Sequence, residues 1–429
     1  QAKFEAAAGG AAWVGALRAG ALRQLRAIGF PHLRQEAWRF TDVRPILRTP
    51  WTLAEPASPG AEAKRLLDEI TFAGTLESCV LVFVNGHFAP ALSRTQPLPK
   101  GLRVQSLRAA AEAGDTALQT HLTRVAASQE HPFLLLNTAF LFDGAFVEIA
   151  RGAAIESPIH VVHLSTGGDP PAISHPRTLV VAGESAQAHV IETFASAAPG
   201  AIHLTNAVTE IALGAGANVD YLKLQRESAA AFHLSNLWIH QERDSNFFSN
   251  NITIGAALTR NDVAARIDGE GIHCALDGLN LLSGRQHVDS HTLLDHLKPH
   301  CTSHQLYKSI LDGASTNIFN GRIVVHQDAQ KTDAIQSNRN MLLSDDATAH
   351  SQPNLEIFAD DVKCTHGAVV GNVDDEAIFY LQSRGISRAE ARGLLTYAFA
   401  NEIINEIKIE PVRVQLEKII YERYHLGRP

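Results

Sequence analysis

The residues of this chain with the clearest chemical potential are Cys364 and His366. They lie two positions apart, shortly before a predicted helix start at Asp374. Because side chains alternate between the two faces of a strand, an extended segment would point both to the same side. Sulfur and imidazole nitrogen suit ferrous iron and iron–sulfur species, and thiolate is the form of cysteine that binds them. Two residues cannot complete a four-ligand site. Any cluster held here should therefore need ligands from another chain, and should be transient or exposed.

A second group of candidate ligands is rich in histidine. It comprises His287, His291, His296, His300, Cys301 and His304. On a helix, spacings of three and four residues would align some of these imidazoles, as a zinc site requires. Pro299 and the strand-like surroundings argue against a continuous helix, and no HExxH motif is present. Ordinary surface or stacked histidines are favoured, and a zinc-dependent hydrolase remains an alternative.

Other catalytic motifs are missing from the sequence. No Gly-Lys dipeptide occurs, which excludes a Walker A loop, and there is neither a G-x-S-x-G elbow nor a Rossmann G-x-G-x-x-G. Two pairs of adjacent carboxylates, Asp360-Asp361 and Asp374-Asp375, would point apart on a strand. They are expected to serve turns and helix caps rather than acid–base catalysis.

Composition and charge narrow the partners and the compartment. The 429 residues carry a formal net charge of -8, so no basic field for phosphate backbones is expected. Apolar runs such as Cys79 to Val84 are far shorter than the roughly 20 residues that cross a bilayer. Four cysteines without a CxxC pair suit free thiols in a reducing compartment. We expect no nucleic-acid or membrane partner and a cytoplasmic location. Because the chain begins at Gln1 and its single methionine is Met341, a processed N-terminus and a plastid stroma are the alternative.

The first 138 residues predict a mixed region in which helices dominate. Apolar residues recur at helical spacing from Trp13 to Ile28, and a second helix is expected near Ala61 to Ile70. Val80 to Val84 reads as a strand. The following Asn85-Gly86 suits the positive backbone angles of a type I′ hairpin turn.

Residues 139–373 are predicted to form the β-helix core, and an internal period is visible in them up to about Asp268. Gly152, Gly183, Gly214 and Ser245 are 31 positions apart, and the positions three and seven residues further on are apolar in each copy. Those positions are Ile155, Ala186, Ala217 and Phe248, followed by Ile159, Val190, Tyr221 and Ile252. Repeats that cannot bury their own apolar face stack into a solenoid, and short strands without long helices favour a parallel β-helix. In its last coil Cys364 and His366 could also be merely structural, as a buried thiol and a hydrogen-bonded imidazole.

Residues 374–429 predict a C-terminal helical domain. Asp374 is placed to cap a first helix, and Ser387 with Glu390 has the spacing of a capping box. An apolar stripe and a last helix starting near Pro411 follow. A unit this short cannot form a large core alone, so it must pack on the solenoid, on a partner, or on both.

Several motifs of this chain resemble the SufB/SufD family of the SUF iron–sulfur cluster assembly system. The resemblance is strongest around Ala359 to Ile386, which includes Cys364 and His366. Further matches are Glu36-Ala37-Trp38-Arg39-Phe40-Thr41, Val84-Asn85-Gly86, Gln305-Leu306-Tyr307-Lys308, Phe319-Asn320-Gly321 and Lys331-Thr332-Asp333. The SufD branch fits better than the SufB branch. SufB members typically have His-Glu-Ala where this chain has His366-Gly367-Ala368, and a cysteine where Ser337 aligns.

The resemblance implies a fold, a function and partners. The fold is a mainly β, right-handed parallel β-helix flanked by N-terminal and C-terminal helical regions. The function is that of a non-enzymatic scaffold, without a tightly bound cofactor, in the SufBCD complex. SufB would pair with it through the β-helix, the SufC ATPase would bind residues 374–429, and a homodimer is conceivable for the isolated chain. His366, with Cys364 as the weaker candidate, would contact the transient cluster at the SufB interface.

A carbohydrate-active β-helix enzyme is the other alternative from a different class. It would need several carboxylates aligned along one face of the solenoid, because acid–base chemistry on sugars uses paired carboxyl groups. The repeat instead keeps apolar residues in register. This pattern favours the scaffold function.

Overall fold

Parallel strands wound into a solenoid make up most of the molecule. The computed structural model describes Phe4 and residues 9–126 and 130–424. It contains a β-helix of about eight coils with helices at both termini, which confirms the predicted fold class. The strands are β1 (Thr52–Leu53), β2 (Cys79–Val84), β3 (His87–Phe88), β4 (Leu102–Ser106), β5 (Gly144–Ile149), β6 (Ile159–Ser165), β7 (Ala172–Ser174), β8 (Arg177–Ala182), β9 (Gln187–Ser196), β10 (His203–Leu213), β11 (Asn218–Arg226), β12 (Phe232–Gln241), β13 (Asn246–Thr253), β14 (Leu258–Ile267), β15 (His273–Leu282), β16 (His287–His296), β17 (Thr302–Leu311), β18 (Thr316–Val325), β19 (Asp333–Leu342), β20 (Thr348–Ile357) and β21 (Lys363–Asn372).

Two sheets form the walls of the solenoid. The first sheet has the order β20-β18-β16-β14-β12-β10-β8-β5-β4, with β7 and β1 beside it. The second has the order β21-β19-β17-β15-β13-β11-β9-β6-β2-β3. From β8 onward the chain alternates between the sheets, so each coil contributes one strand to each wall. The chain therefore advances from one end of the solenoid to the other, and β20 and β21 form its last coil.

Inward-facing rows of apolar side chains hold the coils together. In the first sheet one such row contains residues that pair directly across successive strands, and all of them are buried except Leu355 at the end. The row is Ile211, Ile239, Ala265, Leu294, Ile323 and Leu355. Stacking of β-branched and aliphatic side chains every 4.8 Å or so removes their surface from water. This burial explains the period that the sequence displays.

The predicted register of the fourth repeat is wrong. Val190 pairs with Tyr221 as predicted, but Tyr221 then pairs with Ser249, and Ile252 pairs with Leu224. The buried aromatic residue of this coil is Phe247 rather than Phe248. The cause is the length of the coil: Asn218 pairs with Asn246, 28 positions on. A period of 31 therefore does not persist, because the solenoid fixes strand pairing and lets the connecting loops vary in length.

The N-terminal region contributes both helices and strands. The predicted hairpin turn is present, since Asn85 and Gly86 have φ of 55° and 82°. The strand before it, β2, lies parallel to β6, and β4 lies antiparallel to β5. This region therefore extends both walls of the solenoid. Its helices are α1 (Ala12–Ile28), α2 (Arg44–Arg48), α3 (Ala61–Ile70), α4 (Leu107–Glu112), α5 (Thr116–His121) and α6 (Pro132–Ala139), with short 3₁₀ turns at Glu36–Trp38 and Pro90–Leu92.

After the last strand come three helices within the described residues, of which the last two cover the outer face of the second sheet. They are α7 (Asp375–Gln382), α8 (Arg388–Ile404) and α9 (Glu410–Arg423). Asp374 caps α7, and the predicted capping box of Ser387 and Glu390 is formed. The buried face of α8 and α9 packs on the outer side chains of β11, β13, β15 and β17. The helix residues are Ala400, Ile403, Ile404, Val412, Leu416 and Ile420, and Ile407 joins them from the turn between the two helices. None of the helices in the described residues is both long enough and apolar enough to span a bilayer.

A buried arginine fixes the N-terminal segment to the outer face of the first sheet. The Arg260 guanidinium contacts Asp262 and Asp289, donates to the Ala37 carbonyl at 2.8 Å, and lies 4.4 Å from the centre of the Trp38 ring. Burial alone would raise the pKa values of both aspartates, but the charge of Arg260, a neighbouring histidine beside each carboxylate and their hydrogen bonds together outweigh burial and lower both pKa values. The motif from Glu36 to Thr41 is thus a docking segment for this ion cluster.

We predict that Arg260→Met destabilises the protein by about 3–5 kcal/mol, because it leaves the buried Asp289 carboxylate and the partly buried Asp262 carboxylate without their cation. Arg266→Met, on the same strand, is the matched control. The Arg266 side chain is 57% exposed and pairs with Asp268, so its loss should cost about 1 kcal/mol or less. Urea unfolding of both variants measures the difference. Equal midpoints would show that the buried cluster contributes nothing specific.

Candidate functional site

The last coil of the solenoid is an open end. The strands β20 and β21 each pair on one side only within the described residues, with β18 and β19 respectively. Both are ten residues long, and none of their residues is buried. A long edge strand presents a row of unpaired N–H and C=O groups, which is a template for pairing with another chain. The architecture therefore leaves two unpaired strand edges at one end of the described solenoid.

Apolar side chains accompany the unpaired edges. Val369 is 62% exposed and Phe358 61%, and further exposed apolar residues of this end are Val370, Ile357 and Ile335. Apolar groups clustered on a surface with free backbone groups are typical of an interaction site. This patch and the two edge strands together are called the open end below.

Cys364 and His366 both lie on β21, at the open end. Their register partners on β19 are Ala334 and Gln336, which are buried and face the interior. Cys364 and His366 therefore share the inward-facing side of the strand, as predicted. The Cys364 thiol is half-buried against the apolar core, and burial raises its pKa, which disfavours the thiolate. His366 is exposed because no further coil covers it.

Buried amides form the layer beneath His366. Gln336 donates from Nε2 to Oε1 of Gln305 at 2.6 Å. Further along the same interior, Asn317 on β18 donates to Oδ1 of Asn340 on β19 at 2.9 Å. Asn340 in turn donates to Oδ1 of Asn338 at 2.7 Å. Asn340 also donates to the carbonyl of Val369 at 3.4 Å. These hydrogen bonds hold β21 from inside, on the side where no later strand can.

The motif residues noted in the sequence build this layer. Gln305 and Tyr307 both point inward from β17, and a Cβ at Gly321 would lie 2.3 Å from Nε2 of Gln336. Because Gly321 has no side chain, it leaves the space that the Gln336 amide occupies. Gly278 does the same for the ring of Tyr307, which a Cβ there would approach to 2.6 Å. These motif residues therefore provide packing support behind the open end.

The turn before β21 is also fixed by a motif. Lys331 has φ of 62°, its N–H donates to the Asp361 carbonyl at 2.7 Å, and its ammonium pairs with the Asp361 carboxylate. The Asp361 N–H in turn donates to the Gln330 side chain at 2.9 Å. The expectation that Asp361 serves a turn is confirmed. This turn sets the point at which β21 begins and therefore fixes the position of His366 on that strand.

Ser337 and Gly367 lie side by side. They are register partners on β19 and β21 and point to the outer face. These are the two positions where the sequence lacks the thiol and the carboxylate expected of SufB members. Because Ser337 and Gly367 are adjacent, a thiol and a carboxylate at these two positions would lie together at the edge of the open end.

The predicted histidine cluster is dispersed by the fold. His287 and His291 face outward from β16, where His291 lies 3.0 Å from Asp289, while His296 faces inward and contacts Ser303 at 2.9 Å. His300 is on an exposed turn, and His304 is on the other sheet beside Asp277. Cys301 is buried in the apolar core. No group of three or more metal-ligating side chains is found among the described residues, so the geometry of a zinc site is not formed there.

Polar groups buried inside the solenoid escaped the sequence analysis. Glu192 accepts hydrogen bonds from Thr178, Thr209 and Tyr221 and contacts His163. Burial alone would raise its pKa, but these partners outweigh it and lower the pKa to about 2. Such residues occupy inward positions of the strands, where the alternating pattern would lead one to expect apolar side chains. Their role is therefore recognisable only from the contacts that they make in the folded structure. They are far along the solenoid from β21.

The helix α7 stands apart from the other C-terminal helices in its exposure. Its buried residue is Ile378, while Phe379 is 73% exposed and Tyr380 57%. Val414 on α9 is exposed as well. Two adjacent exposed aromatic side chains on a short helix next to the open end form a second candidate contact surface.

Comparison with protein families identifies the class to which this fold and open end belong. Residues 163–399 match the family described as "SUF system FeS cluster assembly, SufBD core domain". Residues 5–161 match the "SufBD protein N-terminal region". The chain belongs to the SufBD family of iron–sulfur cluster assembly proteins.

Individual relatives place the resemblance within that family. An iron–sulfur cluster assembly SufBD family protein of Synechocystis sp. is 33% identical, over 94% of this chain and 89% of its own length. The iron–sulfur cluster assembly protein SufD of Escherichia coli is 32% identical, over 94% of this chain and 91% of its own. A chloroplastic protein of Arabidopsis thaliana, ABCI7, is 27% identical over 90% of this chain. The resemblance to SufD is confirmed, and the family favours cluster assembly over either enzyme alternative.

We predict that Gly321→Ala lowers the stability of the last coils by about 1–3 kcal/mol, because the added methyl group overlaps the Gln336 amide and forces it to move. Gly367→Ala is the control. It is also a strand glycine, but a Cβ there meets nothing within 4 Å. Thermal unfolding followed by near-ultraviolet circular dichroism compares the two variants. If both unfold at the wild-type temperature, Gly321 is not required for packing.

Proposed function

We propose that this protein is a scaffold subunit of a SufBCD-type complex, in which His366 helps to hold a nascent iron–sulfur cluster at a subunit junction. The observation that carries the proposal is the position of His366. It lies in the inward-facing row of β21, the last strand of the solenoid, and no further coil covers it. An imidazole held there is available to a species shared with another chain. Cys364 is the weaker candidate, since its thiol packs against the core and its pKa is raised.

The partner at the open end is proposed to be a SufB-type subunit. Two ten-residue edge strands and exposed Val369 and Phe358 favour a partner that continues the sheets and buries the apolar surface. A SufB-type chain has the same fold and hence an equivalent open end. It would supply the ligands that a single thiol and imidazole lack. A second copy of this chain would satisfy the same edges in a homodimer.

The ATPase partner is proposed to bind the C-terminal helices. The exposed aromatic pair Phe379 and Tyr380 is the strongest candidate anchor, because large aromatic side chains dominate interface energies. The α7 helix begins two residues after β21 ends, so a SufC-type subunit bound there would lie close to the open end.

The packing of α8 provides a physical route for coupling. Lys308 on β17 and Arg339 on β19 both contact Glu402 on α8, and the Lys308 ammonium lies 4.1 Å from the centre of the Phe399 ring. These two strands also carry Gln305 and Gln336, the amides behind His366. Movement of α8 driven by ATP binding to a SufC-type partner would therefore act on the strands that support the cluster site.

The cluster in this proposal is cargo and not a resident cofactor. The protein itself is proposed to be non-enzymatic, with the energy supplied by the ATPase partner. A cytoplasmic location, or the stroma of a plastid, is consistent with bacterial and chloroplastic relatives. No nucleic-acid or membrane partner is proposed.

We predict that Phe379→Asp abolishes co-purification with a SufC-type ATPase on this subunit while leaving the SufB-type partner bound, because the charge disrupts an apolar anchor on α7. Removal of everything after Val373 is less informative, since α8 and α9 cover apolar side chains of the second sheet. Co-expression of the three chains followed by mass measurement of the complex gives the stoichiometry.

Ile202→Asp is the matched control for this experiment. Ile202 is 45% exposed and precedes β10, far along the chain from the C-terminal helices. The same charge at this position should leave the complex intact. Loss of both partners in Phe379→Asp, or retention of full ATPase stoichiometry, would contradict the proposed contact.

We predict that His366→Ala lowers cluster yield in the co-expressed complex by about tenfold or more without preventing assembly of the subunits, because it removes a ligand rather than an interface anchor. The control is His240→Ala, on the outer face of β12 and away from the open end. Iron and sulfide analysis of complexes purified without oxygen measures the yield. Wild-type yield in His366→Ala would refute the ligand role.

A further inference from the structure

The residue directly behind His366 is Gln336. The two are register partners on β21 and β19 and point to the same side of the sheet. Neighbouring strands are separated by about 4.8 Å, so side chains at paired positions on one face are in reach of each other. Gln336 is only 1% exposed, whereas His366 is open to the outside. An amide in the interior therefore adjoins an imidazole at the surface.

The orientation of the Gln336 amide is set from the opposite side. Its Nε2 donates to Oε1 of Gln305 at 2.6 Å, in the direction of β17 and away from β21. Gly321 leaves the space for the amide, as a Cβ there would strike it. In this arrangement Nε2 of Gln336 is used by the interior and Oε1 is left over.

The end that is left over is an unsatisfied acceptor. Oε1 of Gln336 is buried and has no hydrogen-bond partner among the described residues. A buried carbonyl without a donor costs about 1–3 kcal/mol, so a donor is expected within its reach. Two donors lie beside it: Nε2 of Gln305, which also has no partner among the described residues but belongs to the amide already paired with Nε2 of Gln336, and the ring N–H of His366, which the register places on the other side. No described residue forms a hydrogen bond with that ring that would compete.

We infer that Gln336 is a positioning residue for His366. Its Oε1 accepts a hydrogen bond from one ring nitrogen, directly or through one ordered water, and this fixes the tautomer that leaves the other nitrogen bare and facing out of the open end. A neutral imidazole binds a metal through its bare nitrogen, and the partner of the second nitrogen decides which one that is. The inference rests on the proposed function only in assigning that bare nitrogen to the cluster.

The test reads the tautomer directly in the isolated full-length protein. Long-range proton–nitrogen spectra of the [¹⁵N]histidine-labelled chain distinguish protonated from bare ring nitrogens, and His366→Asn assigns the signal. The spectra are recorded at about pH 8, where an ordinary histidine is neutral. In the wild type one tautomer should dominate. Gln336→Leu should give a mixture of both, and Gln336→Glu, which keeps an acceptor oxygen, should restore the single tautomer.

Asn338→Leu is the matched control. Asn338 lies two residues along β19, is as buried as Gln336, and also points inward, but its partner on β21 is Ala368. The same polar-to-apolar change at this position should leave the His366 tautomer as in the wild type. A shift of equal size in Asn338→Leu would show that general loosening of the last coil, and not the Gln336 acceptor, is responsible.

Cluster yield in the co-expressed complex provides the second readout. Gln336→Leu should lower it by about tenfold, the usual effect of losing a partner behind a ligand, and Gln336→Glu should recover most of the loss. An unchanged tautomer in Gln336→Leu would overturn the inference, whatever the yield. A changed tautomer together with wild-type yield in His366→Ala would instead overturn the ligand role of His366 and leave the positioning by Gln336 standing.

Discussion

Register between parallel coils is the constraint on which the rest of this structure depends. Each strand is paired with the one before it, so an inward position in one coil is an inward position in the next, and apolar rows run the length of the solenoid. Nothing in the pairing of one coil with the next limits the number of coils. Where the chain leaves it, after β21, one inward row must remain uncovered and two strand edges must remain unpaired. His366 lies in that row, and its exposure is a consequence of where the stacking ends.

The interior behind the open end contains hydrogen-bonded amides beside the apolar rows that hold the solenoid as a whole. Buried amides link β17, β18, β19 and β21 through side-chain hydrogen bonds, and Gly321 and Gly278 leave room for the larger side chains among them. Hydrogen-bonded amides have directional requirements that apolar packing lacks, so they specify one arrangement of the last coil. On the outside, the ion pairs of Glu402 tie the same strands to α8. The proposed cluster site is therefore supported by strands that the C-terminal helices contact directly.

Much of this architecture is predictable from the sequence, and the limits of prediction have physical causes. The period of apolar positions indicates the solenoid, and Asn85-Gly86, Asp374 and Ser387 mark turns and caps because their chemistry is local. The spacing of Cys364 and His366 places both on one side of a strand. The register of the fourth coil is mispredicted because loops of different length join strands whose pairing is fixed. The histidines between 287 and 304 are spread over two sheets and a turn, since a cluster in sequence is not a cluster in space. The positions of Gln336 and Gln305 behind His366 depend on contacts 30 or so residues apart, which only the coil register defines.

The central claim is that His366 at the open end contacts a cluster shared with a partner chain. Electron–nuclear double resonance on the reduced cluster, in a co-expressed complex in which only this subunit carries [¹⁵N]histidine, measures that contact directly. The account predicts a strongly coupled histidine nitrogen that disappears in His366→Ala. A cluster of normal yield without any coupled ¹⁵N from this subunit would contradict it.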